Sequence, residues 1–311
     1  MRRRLLTALL LLVVPLSAAA GSRETVFLFT YFVGNGADGL HLAWSEDGYT
    51  WKALNDGRSV LAPLVGKDRL MRDPHAVQGP DGTYHLVWTT GWWDRHIGYA
   101  TTRDFRTFSE QRSIPVMEHE PTTRNAWAPE AVWDAGRRRF LIFWASTIPG
   151  RFPETAGASE EDLNHRMYAT TTEDWRTFSP TRLFLDPGFS VIDATLTPGL
   201  DQAFHLIIKD ETKTPPKKHL RAARATDPEG PWQEFGAPFT RDWVEGPTTV
   251  AVGGEFIVYY DVYREKHYGA RRTRDFVTWE DVTDRISVPA GARHGTMLEV
   301  PRSVVEGWLS R

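Results

Sequence analysis

Short apolar and aromatic runs alternate along the chain with polar turns in one recurring order, and that order predicts β-strands rather than helices. An alternating strand that leads into an Asp turn and then an aromatic residue occurs five times. The copies are HLAWSEDGYTW (His41 to Trp51), IGYATTRDFRTF (Ile97 to Phe108), MYATTTEDWRTF (Met167 to Phe178), LRAARATDPEGPW (Leu220 to Trp232) and YGARRTRDFVTW (Tyr268 to Trp279). In four copies the aromatic stands four residues after the Asp, at Asp47, Asp104, Asp174 and Asp275, and the copy with Asp227 has one residue more. A second strand precedes each copy: VFLFTYF from Val26, YHLVWTT from Tyr84, FLIFWAS from Phe140, FHLIIKD from Phe204 and FIVYYDV from Phe256. Ahead of four of these lies a third, joined through a Gly-containing turn: RDPHAVQGPDG from Arg72, PEAVWDAG from Pro129, IDATLTPG from Ile192 and EGPTTVAVGG from Glu245.

The first copy lacks its leading strand, while RHGTMLEVP (Arg293 to Pro301) stands alone at the C-terminal end. The natural closure is for that last strand to complete the first sheet. Sheets of about four strands repeated radially make a β-propeller, which leaves only short, protected edges. The expected fold is therefore all-β, one five-bladed propeller over residues 24–305 with its first blade completed by the C-terminal strand. A β-sandwich also shows strands spaced by turns, but it does not call for a displaced last strand. The longest insertion, PGRFPETAGASEEDLNH from Pro149 to His165, falls in the third copy.

Composition refines this picture in two places. Arg2 to Arg4, the apolar run Leu5 to Leu16 and the small residues Ser17 to Gly21 form the three regions of a cleavable signal peptide over residues 1–20, which predicts a secreted or periplasmic protein. The apolar run is shorter than the roughly 20 residues of a spanning helix, so no membrane anchor is expected. The absence of cysteine excludes a lipoprotein attachment site, disulfides and thiolate metal sites. A net charge of −3 argues against nucleic acid as a partner.

In a propeller the leading strands line the axis, so their first residues meet at one mouth of the channel. Those residues are Asp73, Glu130, Asp193, Glu245 and the pair Arg293-His294. Asp73, Glu130 and Asp193 each lie six residues before a turn glycine, and Glu245 lies eight before Gly253, an even difference that keeps one face of a period-2 strand. Each alone reads as a turn former or a surface acid. Four carboxylates on one axis repel one another, and burial costs several kcal/mol unless they are paired or protonated. Glycoside hydrolysis does need such a cluster, one carboxylate as base and another kept protonated as acid.

The triplets RDP (Arg72 to Pro74), WAPE (Trp127 to Glu130), IDA (Ile192 to Ala194), EGP (Glu245 to Pro247) and RHG (Arg293 to Gly295) together resemble the ordered motifs of glycoside hydrolase family 43. That family consists of five-bladed propellers that remove arabinofuranosyl, xylosyl or related residues with inversion. The resemblance implies Asp73 as general base, Asp193 as the group that tunes and orients the acid, and Glu245 as general acid, its proton affinity held high enough to donate. It implies a poly- or oligosaccharide substrate and no required cofactor, with a water or structural ion near His294 as in some relatives. The family's WAPE motif commonly ends in Asp, so Glu130 is assigned to substrate contact. A further departure is that two strands and an Asp turn precede the RDP motif. Invertase-like propellers also carry an RDP, but no NDPN-type nucleophile segment precedes this one.

Exposed Trp rings near carboxylates suit sugar C–H faces, which makes Trp127, Trp92 and Trp93 candidates for a subsite wall, while most of the 13 Trp pack between blades. Arg293 and Arg72 flank the cluster as candidate sugar or carboxylate ligands. His41, His75, His85, His96 and His205 lack ligand spacing, and the run Lys213 to Lys218 reads as a solvated hairpin loop. The rival to hydrolysis is a carbohydrate-binding propeller, lectin-like or catalytically silent. Unlike inner-strand heads favour a single central site over five equivalent ones.

Overall fold

The computed structural model describes residues 24–309, so the leader-like segment lies outside the described residues. Five antiparallel sheets ring an axis. Blade 1 runs, from the axis outward, Ala292–Pro301, Thr25–Val33, His41–Ser45 and Lys52–Ala53, so the C-terminal strand does complete the first blade. Blade 2 begins at Arg72–Gln78, blade 3 at Trp127–Asp134, blade 4 at Val191–Pro198 and blade 5 at Glu245–Val252. The fold is the expected five-bladed propeller.

Why the second strand of each blade reads as an almost unbroken apolar run follows from its position between two neighbours. Its alternate residues go to opposite inter-blade layers. Leu86 and Trp88 enter the layer with blade 1, whereas Val87 packs toward blade 3. Leu141 and Phe143 face blade 4 while Ile142 and Trp144 face blade 2. Ile257 and Tyr259 face blade 1 while Val258 and Tyr260 face blade 4. Five such clusters fill the five seams.

The recurrent Asp turn has a local cause. In four blades a Ser or Thr two residues before the Asp accepts backbone N–H groups, and the Asp carboxylate accepts two more, as Thr102 and Asp104 do for Phe105, Arg106 and Thr107. Blade 4 departs from the plan. It holds three strands, and Ala225 stands where the other turns carry a hydroxyl. Its outer segment contains Pro231 and Pro238, which have no N–H to give a ladder. Only Gln233, Gly236 and Phe239 donate to the strand inside it. After the last strand, a helix at Arg302–Leu309 buries Val304 and Val305 against the seam between blades 1 and 2.

Candidate active site

Each inner strand carries a bulge near its head, where two residues face one on the neighbouring strand. The pairs are Asp73-Pro74, Ala128-Pro129, Asp193-Ala194, Gly246-Pro247 and His294-Gly295. Asp73, Ala128, Asp193 and Gly246 adopt positive φ of 49°, 45°, 51° and 60°. These bulges turn the strand heads toward the axis and explain prolines inside paired strands.

The bulges also set three depths. Arg72, Trp127, Ile192, Glu245 and Arg293 precede the bulge, Asp73, Asp193 and His294 sit on it, and His75, Glu130, Thr195, Thr248 and Thr296 follow it. Glu130 is therefore two residues deeper than Asp73 and Asp193, not level with them. Counting from the turn glycine misplaced it, because Gly136 lies eight residues past its bulge residue whereas Gly79 and Gly199 lie six past theirs. Glu130 does not line the pocket at the mouth and is displaced from the expected sugar wall. It belongs to a buried ring below: Thr296 Oγ1 lies 2.8 Å from His75 Nδ1, His75 Nε2 donates to the Ala131 carbonyl at 2.8 Å, and Glu130 Oε1 is 3.7 Å from His75 Nδ1. Burial raises the Glu130 carboxyl to about 8, against the opposing charge of His294.

The pocket has a volume of about 500 Å³, within the range of small-molecule sites. Asp73, Asp193, Glu245, Arg293 and His294 form its floor, and Trp92, Trp93 and Trp127 form one wall. The Trp127 indole donates to the Trp92 carbonyl at 2.9 Å, and the two rings meet edge to face at 5.6 Å. Arg72 is held between the Phe32 and Trp92 rings, 4.8 and 4.2 Å from their centroids, and donates to Asn35. The insertion of the third copy contributes Ser159, Glu160, Glu161, Leu163 and His165 to the lining, with the His165 ring 4.8 Å from that of Trp127.

Charge on the floor is distributed unequally. Asp73 Oδ2 accepts from Thr89 Oγ1 at 2.8 Å, and that hydroxyl accepts from the Ala128 N–H at 2.8 Å. His294 Nδ1 stands 3.3 Å from Asp73 Oδ1. Burial would raise the Asp73 carboxyl, but His294, Arg72 and Thr89 outweigh it and hold it at about 2. Burial would lower His294, but Asp73, Asp193 and Glu130 hold it at about 9, so its ring is a cation at neutral pH. Asp193 accepts from the Gly246 N–H at 3.1 Å; burial raises it to about 6 with help from Glu245 and Asp73, despite His294 and Lys209.

Glu245 differs from expectation. Lys209 Nζ donates to its Oε2 at 3.0 Å and Arg293 Nη2 to its Oε1 at 3.0 Å. Burial alone would raise it, yet these two cations pull it below the ordinary carboxylate range. Of these two carboxyls the higher proton affinity rests with Asp193 rather than with Glu245. Lys209 comes from the second strand of blade 4 and was not anticipated, although a lysine ending the apolar run FHLIIKD was the available signal. Arg293 also pairs with Asp261, 2.7 Å from its Nε, so it is committed to two carboxylates.

His294 presents a cationic ring to Asp73, and no group of three or more His, Asp or Glu poised for an ion is found among the described residues.

The five-bladed propeller thus carries a carboxylate-floored, tryptophan-walled pocket at one mouth of its axis. The chain belongs to the family described as "Probable glycosyl hydrolase domain", related to glycoside hydrolase family 43, whose profile matches residues 24–306. An α-L-arabinofuranosidase of Bifidobacterium longum subsp. longum is 24% identical over 184 residues, 52% of this chain. The match spans only 17% of that longer relative. Among solved structures, a thermostable family-43 glycoside hydrolase superposes with a TM-score of 0.54 at 14% identity, over 72% of this chain and 78% of the other. The Hadza microbial sialidase Hz136 reaches 0.56 at 15% identity, over 81% of this chain and 56% of the other.

Proposed function

We propose that the protein is an exported glycoside hydrolase that removes arabinofuranosyl, xylosyl or related residues such as galactofuranosyl from the ends of oligo- or polysaccharides with inversion. The observation that carries this reading is the convergence of Asp73, Asp193 and Glu245, from three separate bulged strands, on one pocket walled by Trp92, Trp93 and Trp127. The leader-like N-terminus supports export. The arabinofuranosidase relative supports the substrate class.

In this scheme Asp73, ionised beside His294, takes a proton from the attacking water, and Glu245 protonates the departing oxygen. Of Asp193 and Glu245, Asp193 has the higher proton affinity, and once ionised its negative charge raises that of Glu245. A leaving group entering beside Glu245 loosens the hold of Lys209 and Arg293 and lets the carboxyl take a proton. Inversion requires about 6.5–9.5 Å between Asp73 and Glu245 carboxyls to admit the water.

Leaving-group dependence tests the acid. Glu245→Gln should hydrolyse 2,4-dinitrophenyl glycosides near the wild-type rate and lose alkyl glycosides and oligosaccharides. Equal loss on both would remove Glu245 from that role. A second reading, a sugar-binding propeller without hydrolysis, is favoured by one observation: Lys209 and Arg293 hold Glu245 between two cations as a carboxylate.

A further inference from the structure

The third-copy insertion and the lysine-bearing loop of blade 4 meet at a row of charges that leads inward to Glu245. From the surface inward it runs Glu160, Lys218, Glu211, Lys209 and Glu245, then Arg293 and Asp261. Lys218 Nζ is 3.2 Å from Glu160 Oε2 and also bonds Glu211. Lys209 Nζ is 2.9 Å from Glu211 Oε2 and 3.0 Å from Glu245 Oε2. The signs alternate at every step. The side chains of Lys218 and Lys209 are only 1% and 3% exposed, so Lys218 is not the solvated loop residue its sequence run suggests. Two buried ammonium groups sharing one carboxylate are weak evidence for stability and better evidence for tuning of a nearby group.

The row is anchored to the insertion by backbone. Ser159 bridges Thr212, and Lys213 N–H and Thr214 N–H both donate to the Ala158 carbonyl. Glu160 therefore reports the position of the insertion to Lys218.

We propose that Glu211 is a positioning residue for Glu245: it divides its carboxylate between Lys209 and Lys218 and so sets how much of the Lys209 charge Glu245 feels, with Glu160 on the insertion holding the far end. The inference rests on the reading of Glu245 as the proton donor. The other charged or titratable groups facing Glu245 are Asp193 from the inner strand of blade 4, Asp261, Tyr263 and Tyr268 from blade 5, and Arg293 and His294 from the last strand. His165 faces both lysines and is held neutral by burial and by them, at about 3. Replacing Lys218 relieves His165 of one cation, and replacing Glu211 relieves Tyr263 of one anion.

Coulomb interaction then fixes the sign of each replacement. Glu211→Gln removes a negative charge one link beyond Lys209 and should lower the Glu245 titration midpoint by about one pH unit. Lys218→Met frees Glu211 for Lys209 alone and should raise it. Glu160→Gln, at the exposed end, should lower it by less. The measurement is a carbon-detected NMR titration of protein labelled at the glutamate side-chain carboxyl, with Glu245 assigned by its absence in Glu245→Gln. Opposite shifts in Glu211→Gln and Lys218→Met, with Glu211→Asp restoring the wild-type midpoint, support the ladder. Shifts of one sign in both, or of under about 0.3 pH unit in both, overturn it, since lost packing changes stability without alternating sign. If Glu211→Gln does not fold, Lys218→Met and Glu160→Gln must still move in opposite directions. The titration needs no turnover: a protein that titrates this way yet cleaves no glycoside contradicts the role of Glu245 and not the ladder.

Discussion

Replacing His294 with Gln keeps the side chain's size and removes its charge, so it isolates what the Asp73–His294 pair contributes. Raising His294 from 6.5 to about 9 corresponds to about 3 kcal/mol, and lowering Asp73 from 3.8 to about 2 corresponds to about 2 kcal/mol. The two figures differ because His294 also faces Asp193 and Glu130, and the smaller belongs more nearly to the pair itself. Both groups are buried, with side chains 8% and 12% exposed, so screening takes little away. The histidine contribution is fully present below pH 6.5 and is lost as pH rises through about 9. The aspartate contribution is present above pH 3.8 and is lost as pH falls through about 2. Urea unfolding at pH 5 should therefore show His294→Gln less stable by about 2–3 kcal/mol. At pH 10 the deficit should shrink to what packing alone costs. An equal deficit at both values would refute the ion pair.

Two further outcomes follow from the same floor. A Cβ on Gly246 would lie 2.4 Å from His294 Cγ at φ +60°, whereas Gly253 has φ +61° and nothing within 4 Å. Gly246→Ala should thus cost about 1–3 kcal/mol more than Gly253→Ala in thermal unfolding, since only it adds overpacking to backbone strain; equal losses would contradict the close approach. Because the donor must hold a proton, and Lys209 and Arg293 hold the Glu245 carboxyl below the ordinary carboxylate range, kcat/KM should be highest in acid and decline as pH rises toward neutrality. Asp193→Asn removes a negative neighbour and should move that decline to lower pH, and an optimum at or above pH 7 would contradict the charge assignment.

Blade number and closure were legible because both rest on local rules, the Asp turn and a strand left without its sheet. Blade 4 hid its missing strand behind an aromatic-bearing copy, and the prolines at 231 and 238 were the signal against it. Asp73, Asp193 and Glu245 were legible as neighbours of one pocket because the inner strands begin at equivalent points of the repeat. Aligning RDPH, WAPE and EGPT on their prolines would have placed Glu130 beside His75 and Thr248, at the depth the structure gives it. The charge state of Glu245 was not legible. It is set by Lys209 and Arg293, 36 and 48 residues away in sequence, and their approach depends on how three strands pack.

The proposed hydrolysis of glycosides in this pocket has Asp73 as its base. Its most direct test is turnover of aryl α-L-arabinofuranosides, β-xylosides and β-galactofuranosides by wild type and by Asp73→Asn, with sugar binding followed by calorimetry. Wild type should cleave at least one member, and Asp73→Asn should bind it while losing about 100- to 10,000-fold in rate. A wild type that binds sugar and cleaves nothing, or an Asp73→Asn protein that keeps its rate, would contradict it.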